Sequence, residues 1–148
     1  MTKATTHLLD VNGLIALLDE SHIHHDVVTQ WFETPALQWA LCPFTEAGLL
    51  RFMTRPKTGE MSMEAATAMI ARLHEHPGFH YQPITCDWRT LTAPFFKRLH
   101  GYKQITDAYL LGLAVHENLI LVTCDKRILH LAGEHGAHVR VLENSKPQ

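Results

Sequence analysis

The segment ITDAYLLGLAVHENLILVTCD, residues 105–125, contains the two hydrophobic patterns that decide the fold. Residues 105–117 are apolar on nearly every side of a helical period, which is typical of a helix at the centre of a domain. Residues 118–123 form a short apolar run that predicts a strand, and an acid, Asp125, follows it closely. A buried helix that leads into a buried strand indicates a parallel α/β sheet.

The same alternation continues on both sides of this segment. Further strands are predicted at residues 7–9, 38–41, 79–81 and 138–142. Helices are predicted at residues 12–18, 22–32, 43–53, 63–75, 91–99 and 128–134, with Ser21 as the N-cap of the second. Strands separated by helices connect by right-handed crossovers. The expected fold class is therefore α/β, a single domain with a central parallel sheet of about five short strands flanked by helices on both faces.

Composition is ordinary for a globular chain of 148 residues, with 46% hydrophobic and 19% charged residues. Residues 1–143 are expected to form one domain and residues 144–148 a short C-terminal tail. No apolar run approaches the ~20 residues of a membrane span and no signal peptide is evident, so a cytoplasmic protein without a membrane partner is expected. The net charge of −2 means that a polyphosphate partner would require a local basic patch, a bound metal ion, or both.

Four acids occupy positions that solubility does not explain. Asp10 and Asp125 each follow an apolar strand and precede a helix, and for either one alone an N-cap role is an equal alternative. Glu46 and Asp107 lie in the first turns of predicted helices, on apolar stripes. Their i+3, i+4 and i+7 neighbours are Leu49, Leu50 and Met53 for Glu46, and Leu110, Leu111 and Ala114 for Asp107.

Both kinds of position predict that the four carboxylates converge at one edge of the sheet, where the strands of a parallel α/β fold end. Too few neighbouring cations are available to pair with all four. Mg²⁺ or Mn²⁺ would relieve the repulsion, because both ions prefer oxygen ligands. Such a centre suits hydrolysis of a phosphodiester by a metal-activated water. Asp10 and Asp107 would be the main ligands, with Glu46 and Asp125 completing the shell through waters or a second, weaker metal.

These acids occur within four recognisable motifs: LLDVNGLIAL (8–17), CPFTEAGLLR (42–51), QITDAYLL (104–111) and LVTCDKR (121–127). In this order and spacing they resemble the acidic motifs of PIN-domain ribonucleases, especially bacterial VapC-type toxins. The resemblance extends from about residue 7 to residue 142. One departure is Gly13, where the family more often has a bulky apolar residue.

The resemblance implies a Mg²⁺- or Mn²⁺-dependent endoribonuclease that is the toxin of a toxin–antitoxin pair. It implies a homodimer that is inhibited by a small cognate antitoxin and that acts on RNA. The residues that would bind the metal and carry catalysis are Asp10, Glu46, Asp107 and Asp125. Asn12 would orient the Asp10 end of the site, and Thr123 would hydrogen-bond within it.

Basic residues close to these acids are candidates for contacts with RNA phosphates, which position RNA without recognising its sequence. They are Arg51, Lys126 and Arg127. Three histidines at the start of the second helix, His22, His24 and His25, have no second pair of ligands in the sequence. They favour a solvated or interface-lining helix start over a metal site.

Two other functional classes remain open from the residues alone. A phosphotransferase or phosphatase could use Asp10 as a nucleophile, although the paired acids and dedicated lysine of such enzymes are missing. A third class, the response-regulator receiver, is disfavoured because its early acidic pair is missing from this sequence. A non-catalytic binding module could accept an arginine-rich partner segment at the acidic cluster.

Overall fold

The computed structural model describes residues 4–144. The strands are β1 (Thr6–Leu9), β2 (Gln38–Leu41), β3 (Phe79–Tyr81), β4 (Ile120–Thr123) and β5 (Val139–Val141). The α-helices are α1 (Val11–Leu18), α2 (His25–Phe32), α3 (Pro43–Thr54), α4 (Met63–His74), α5 (Trp88–Thr92), α6 (Ile105–His116) and α7 (Ile128–Ala132). Shorter 3₁₀ helices cover Ala93–Arg98, Tyr102–Gln104 and Gly133–His138.

The five strands form one parallel sheet in the order β3-β2-β1-β4-β5. The predicted α/β class and the predicted number of strands are confirmed. β1 and β4 are adjacent at the centre, with Leu9 beside Val122, and the Asp10 amide donates to the Val122 carbonyl oxygen at 3.1 Å. The chain therefore leaves both strands at neighbouring points of the same sheet edge.

Alternate residues of the central strands face opposite layers of helices, as the two-residue period of a strand requires. Leu8 and Leu121 belong to a buried cluster with residues of α5, α6 and α7. Leu9 and Val122 belong to a second cluster with residues of α1 to α4. The sheet is thus covered on both faces, as expected for parallel strands.

Two predicted helices differ most from the structure, while the bounds of the others differ by no more than two residues. The second begins at His25 rather than at residue 22, because the Ser21 hydroxyl donates to Asp19 Oδ1 at 2.7 Å and does not cap a helix. The helix predicted at residues 91–99 is instead the short α5 followed by the 3₁₀ helix Ala93–Arg98. Pro94 explains the change, since it cannot donate the amide hydrogen bond of an α-helix interior.

At the C-terminus, Asn144 Nδ2 donates to the Ile23 carbonyl oxygen at 3.4 Å. The rest of the predicted tail, residues 145–148, lies outside the described residues, as do residues 1–3. Within residues 4–144 there is no helix whose length and apolarity would let it cross a bilayer.

Candidate active site

A groove of about 570 Å³ opens at the carboxyl edge of the sheet. Its acidic residues come from three different elements: Asp10 follows β1, Asp107 lies in the first turn of α6, and Asp125 follows β4. Side chains of α3 form the facing wall. The groove also contains four cationic side chains, from Arg51, Arg55, Lys103 and Arg127.

Asp10 is the most buried of these acids, with 6% of its surface exposed. It caps α1, since its Oδ1 accepts the Gly13 amide hydrogen bond at 2.6 Å. Burial raises the pKa of Asp10 to about 6, although Thr123 and the Gly13 amide act to lower it. The nearby charges of Asp107 and Asp125 raise it further. Asp10 is therefore an N-cap and also a desolvated carboxylate that a cation would favour in its charged form.

Asp107 is half-buried beside Asp10. Burial raises its pKa, and the charge of Asp125 raises it further. Two desolvated carboxylates whose mutual repulsion opposes ionisation are a good match for a hard divalent cation with oxygen ligands. The residues present therefore fit Mg²⁺ or Mn²⁺.

Asp125 is in a different electrostatic state. Hydrogen bonds from the Arg127 guanidinium hold its pKa below the ordinary value. The Arg127 Nη2–Asp125 Oδ2 distance is 2.7 Å, and Nε lies 3.0 Å from Oδ1. Asp125 thus has a cationic partner already. Consistent with this, no three acidic, histidine or cysteine side chains within residues 4–144 are gathered as a ready-made ligand set.

Glu46 is not brought into the groove. Its side chain is only 15% exposed, and its carboxylate pairs with His74 Nε2 of α4. Helix geometry explains the separation. Leu49 and Met53 share the stripe of Glu46 and face the core, whereas the groove-lining residues of α3 occupy nearly the opposite side of that helix. Three of the four predicted carboxylates therefore line one groove, and Glu46 lies outside it.

A family model for the PIN domain matches residues 7–134. The chain belongs to the PIN-domain family. Its relative Ribonuclease VapC38 of Mycobacterium tuberculosis is 40% identical over 128 residues, which cover 84% of this chain and 89% of the relative. Ribonuclease VapC44 of the same species is 37% identical over 125 residues, covering 82% of this chain and 87% of the relative. The predicted resemblance to VapC-type PIN domains is confirmed.

A solved toxin–antitoxin complex from Klebsiella pneumoniae contains a chain with the same fold. The TM-score is 0.62 at 20% identity, and the match covers 91% of this PIN domain and 96% of that chain. At this level of identity the likeness concerns the fold.

The predicted orienting residues both lie at the acidic end of this PIN domain. Thr123 is buried, and its hydroxyl oxygen accepts the Asp125 amide hydrogen bond at 3.1 Å. The Thr123 side chain also lowers the pKa of Asp10. Thr123 therefore links the two strand ends that carry these acids. Asn12 is exposed and lines the groove.

The predicted phosphate contacts divide into two groups. Arg51 and Arg127 line the groove, but Lys126 does not. The Lys126 ammonium pairs with Glu143 at 3.1 Å, beyond the end of β5. Adjacent residues on the β4–α7 turn point in different directions, so closeness to Asp125 in sequence did not ensure closeness in space.

Two further groove cations, Arg55 and Lys103, were not among the predicted contacts. Arg55 follows Arg51 by four residues, so helical spacing alone could have identified it as a neighbour. Lys103 lies in the 3₁₀ helix before α6 and reaches the groove only through the tertiary fold.

The predicted histidine cluster lies on the segment that leads into α2 and outside the groove. His25 Nδ1 lies 2.7 Å from the Ala16 carbonyl oxygen, and His22 Nδ1 accepts the His24 amide hydrogen bond at 3.1 Å. These local hydrogen bonds account for His22 and His25 without a metal ion.

Proposed function

We propose that this PIN domain is a Mg²⁺- or Mn²⁺-dependent endoribonuclease and the toxin of a toxin–antitoxin pair. The observation that carries the proposal is the convergence of Asp10, Asp107 and Asp125 in one groove that also contains four cationic side chains. The ribonuclease names of its relatives at 37–40% identity support RNA as the substrate class.

Asp10 and Asp107 would hold the metal, with Asp125 as a further oxygen donor. The bound metal would supply a nucleophilic water at neutral pH and would neutralise charge that develops on the phosphate. Thr123 positions Asp10 and the Asp125 backbone, so it preserves the spacing between the two strand ends. Glu46, paired with His74 on the far side of α3, would support the helix and would not bind the metal directly.

The cationic side chains of the groove would bind the RNA backbone. Arg51 lies on α3 and Arg55 is its C-cap, while Lys103 precedes Asp107 in the chain and Arg127 contacts Asp125. Phosphate contacts on both sides of the carboxylates would align a phosphodiester over the metal. This local basic lining resolves the difficulty posed by the net charge of −2.

We also propose a small antitoxin as inhibitor, a homodimer as the assembled form, and the cytoplasm as the compartment. The toxin–antitoxin complex that shares the fold supports the antitoxin. The three carboxylates that line the groove would accept an arginine of an antitoxin.

A phosphotransferase that uses Asp10 as nucleophile is less compatible with the geometry. One Asp10 oxygen is engaged by the Gly13 amide at 2.6 Å, and the residue is only 6% exposed. A carboxylate held as a helix cap has little freedom to attack a phosphorus atom. No phospho-aspartate is therefore expected at Asp10.

Total cellular RNA incubated with purified protein provides the test. Cleavage is expected with Mg²⁺ or Mn²⁺, and products should end in 5′-phosphate and 3′-hydroxyl groups. EDTA should abolish cleavage, and Asp10→Asn protein purified identically should be inactive. Cleavage that persists in EDTA, or at full rate in Asp10→Asn, would contradict the proposal.

A further inference from the structure

We propose that Arg127 is a resident counter-cation that competes with the divalent metal ion for Asp125 and thereby weakens metal binding in the absence of RNA. This inference rests on the proposed metal site. It gives Arg127 a role in the metal-free protein, in addition to its predicted contact with RNA phosphate.

Arg127 contacts both oxygens of the Asp125 carboxylate. Oδ1 accepts from the Arg127 amide at 3.0 Å and from Nε at 3.0 Å. Oδ2 accepts from Nε at 3.1 Å and from Nη2 at 2.7 Å. Three N–H groups therefore bind the carboxylate, with the Nε–H shared between its two oxygens. A metal ion that takes either Asp125 oxygen competes with the guanidinium for it.

Withdrawal of Arg127 is sterically unhindered. Its side chain is 89% exposed, and the described contacts of its guanidinium are those with Asp125. An ion pair as exposed to water as this one contributes little to stability, so its loss leaves the fold intact. The guanidinium would then be free to bind a phosphate in the groove that it already lines.

Arg127 also acts on the second acid. Its charge favours the ionised form of Asp107, in opposition to burial and to Asp125. One guanidinium thus offsets part of the repulsion that the metal would otherwise remove. A metal ion and Arg127 both offset the charge of these acids, but they compete only for the Asp125 oxygens that the guanidinium contacts.

The neighbouring residue provides a matched control. Lys126 carries the same charge, but its ammonium pairs with Glu143. Lys126→Ala therefore changes the net charge of the protein by the same amount as Arg127→Ala, without releasing Asp125.

The test is calorimetric titration with Mn²⁺ on the full chain, with thermal unfolding to verify that each variant is folded. Arg127→Ala should bind Mn²⁺ more tightly by roughly 3- to 10-fold, because Asp125 no longer has to give up its guanidinium hydrogen bonds to reach the metal. Lys126→Ala should bind like the unsubstituted protein. In an Asp125→Asn background, Arg127→Ala should give less than about a 2-fold gain, because the contested ligand is gone.

Unchanged or weaker Mn²⁺ binding by Arg127→Ala would overturn the competition while leaving the metal site intact. An equal gain in the Asp125→Asn background would also overturn it and would indicate a general charge effect. Absence of Mn²⁺ binding in every variant would contradict the proposed metal site itself.

Discussion

Glu46 of α3 and His74 of α4 form a side-chain hydrogen bond that connects the two helices on the side of α3 away from the groove. The His74 ring stacks on Phe79 of β3, with centroids 4.4 Å apart and planes 15° from parallel. Glu46 is thus part of a polar contact between α3, α4 and the edge of the sheet. The Glu46 carboxylate therefore has a protein partner on α4.

Glu46→Gln tests this structural role. We expect cleavage to fall by less than about 10-fold and the free energy of unfolding to fall by about 1–2 kcal/mol, as for loss of a charged hydrogen bond. RNA cleavage and chemical denaturation measure the two effects. His74→Gln should lower stability similarly. A loss of activity as large as that of Asp107→Asn, without loss of stability, would identify Glu46 as a ligand instead.

Asp107→Asn should reduce RNA cleavage by roughly 100-fold or more, because it weakens a predicted metal ligand. Folding should be preserved, since the acid lies at the groove and not in the core. Initial cleavage rates at saturating Mn²⁺ are the measurement. Asp26→Asn, an exposed acid in the first turn of α2, is the matched control and should retain full activity.

Asp10→Asn should stabilise the metal-free protein at neutral pH. The pKa of Asp10 is about 6 in the folded state, above its ordinary value of 3.8. Its contribution to stability is fully present below about pH 3.8 and is lost as the pH rises through 6. Asparagine keeps the N-cap acceptor without the buried charge.

We therefore expect a gain of about 1–3 kcal/mol for Asp10→Asn at pH 7.5, and little gain at pH 4. Urea denaturation in EDTA at the two pH values measures it. With Mn²⁺ present, the unsubstituted protein should be more stable than Asp10→Asn, since only the unsubstituted protein gains stability from the metal. An equal change at both pH values would exclude the buried charge as its cause.

Lys103→Ala and Arg55→Ala should each weaken RNA binding if the groove cations contact phosphates. Each substitution should reduce the slope of log affinity against log salt by roughly 0.7, the value for one phosphate contact with a single strand. Binding by the inactive Asp107→Asn protein, measured at several salt concentrations, separates affinity from cleavage. Lys126→Ala should leave the slope unchanged, because its ammonium faces Glu143.

Gly48→Ala should disturb the packing of α3 on α1. A Cβ at Gly48 would lie 2.6 Å from Val11 Cγ1 and 2.8 Å from Cγ2, so the free energy of unfolding should fall by about 1–3 kcal/mol. Val11→Ala removes both atoms and should recover part of the loss in the double variant. Gly136→Ala is the control, since a Cβ there meets nothing within 4 Å. Equal stability of all the variants would contradict the tight contact.

Much of this protein was predictable from its sequence because hydrophobic periodicity is a local property. The apolar runs at β1 and β4 and the all-round apolar α6 determined a parallel sheet with covered faces. Parallel strands end at a common edge, so Asp10 and Asp125 had to lie near each other. The prediction of helix caps was less successful, because a serine hydroxyl has more than one possible partner. The Ser21 hydroxyl donates to Asp19 instead of capping α2.

Tertiary structure alone decided which partner each charged side chain meets. The apolar stripe that made Glu46 conspicuous turns it towards α4 and His74, away from the groove. Lys126 and Arg127 are adjacent in sequence, yet one pairs with Glu143 and the other with Asp125. Lys103 lines the groove, whereas Lys126, next to Asp125 in sequence, does not. Periodicity determines which face of an element is buried, but the direction of a long charged side chain depends on the packing of elements far apart in sequence.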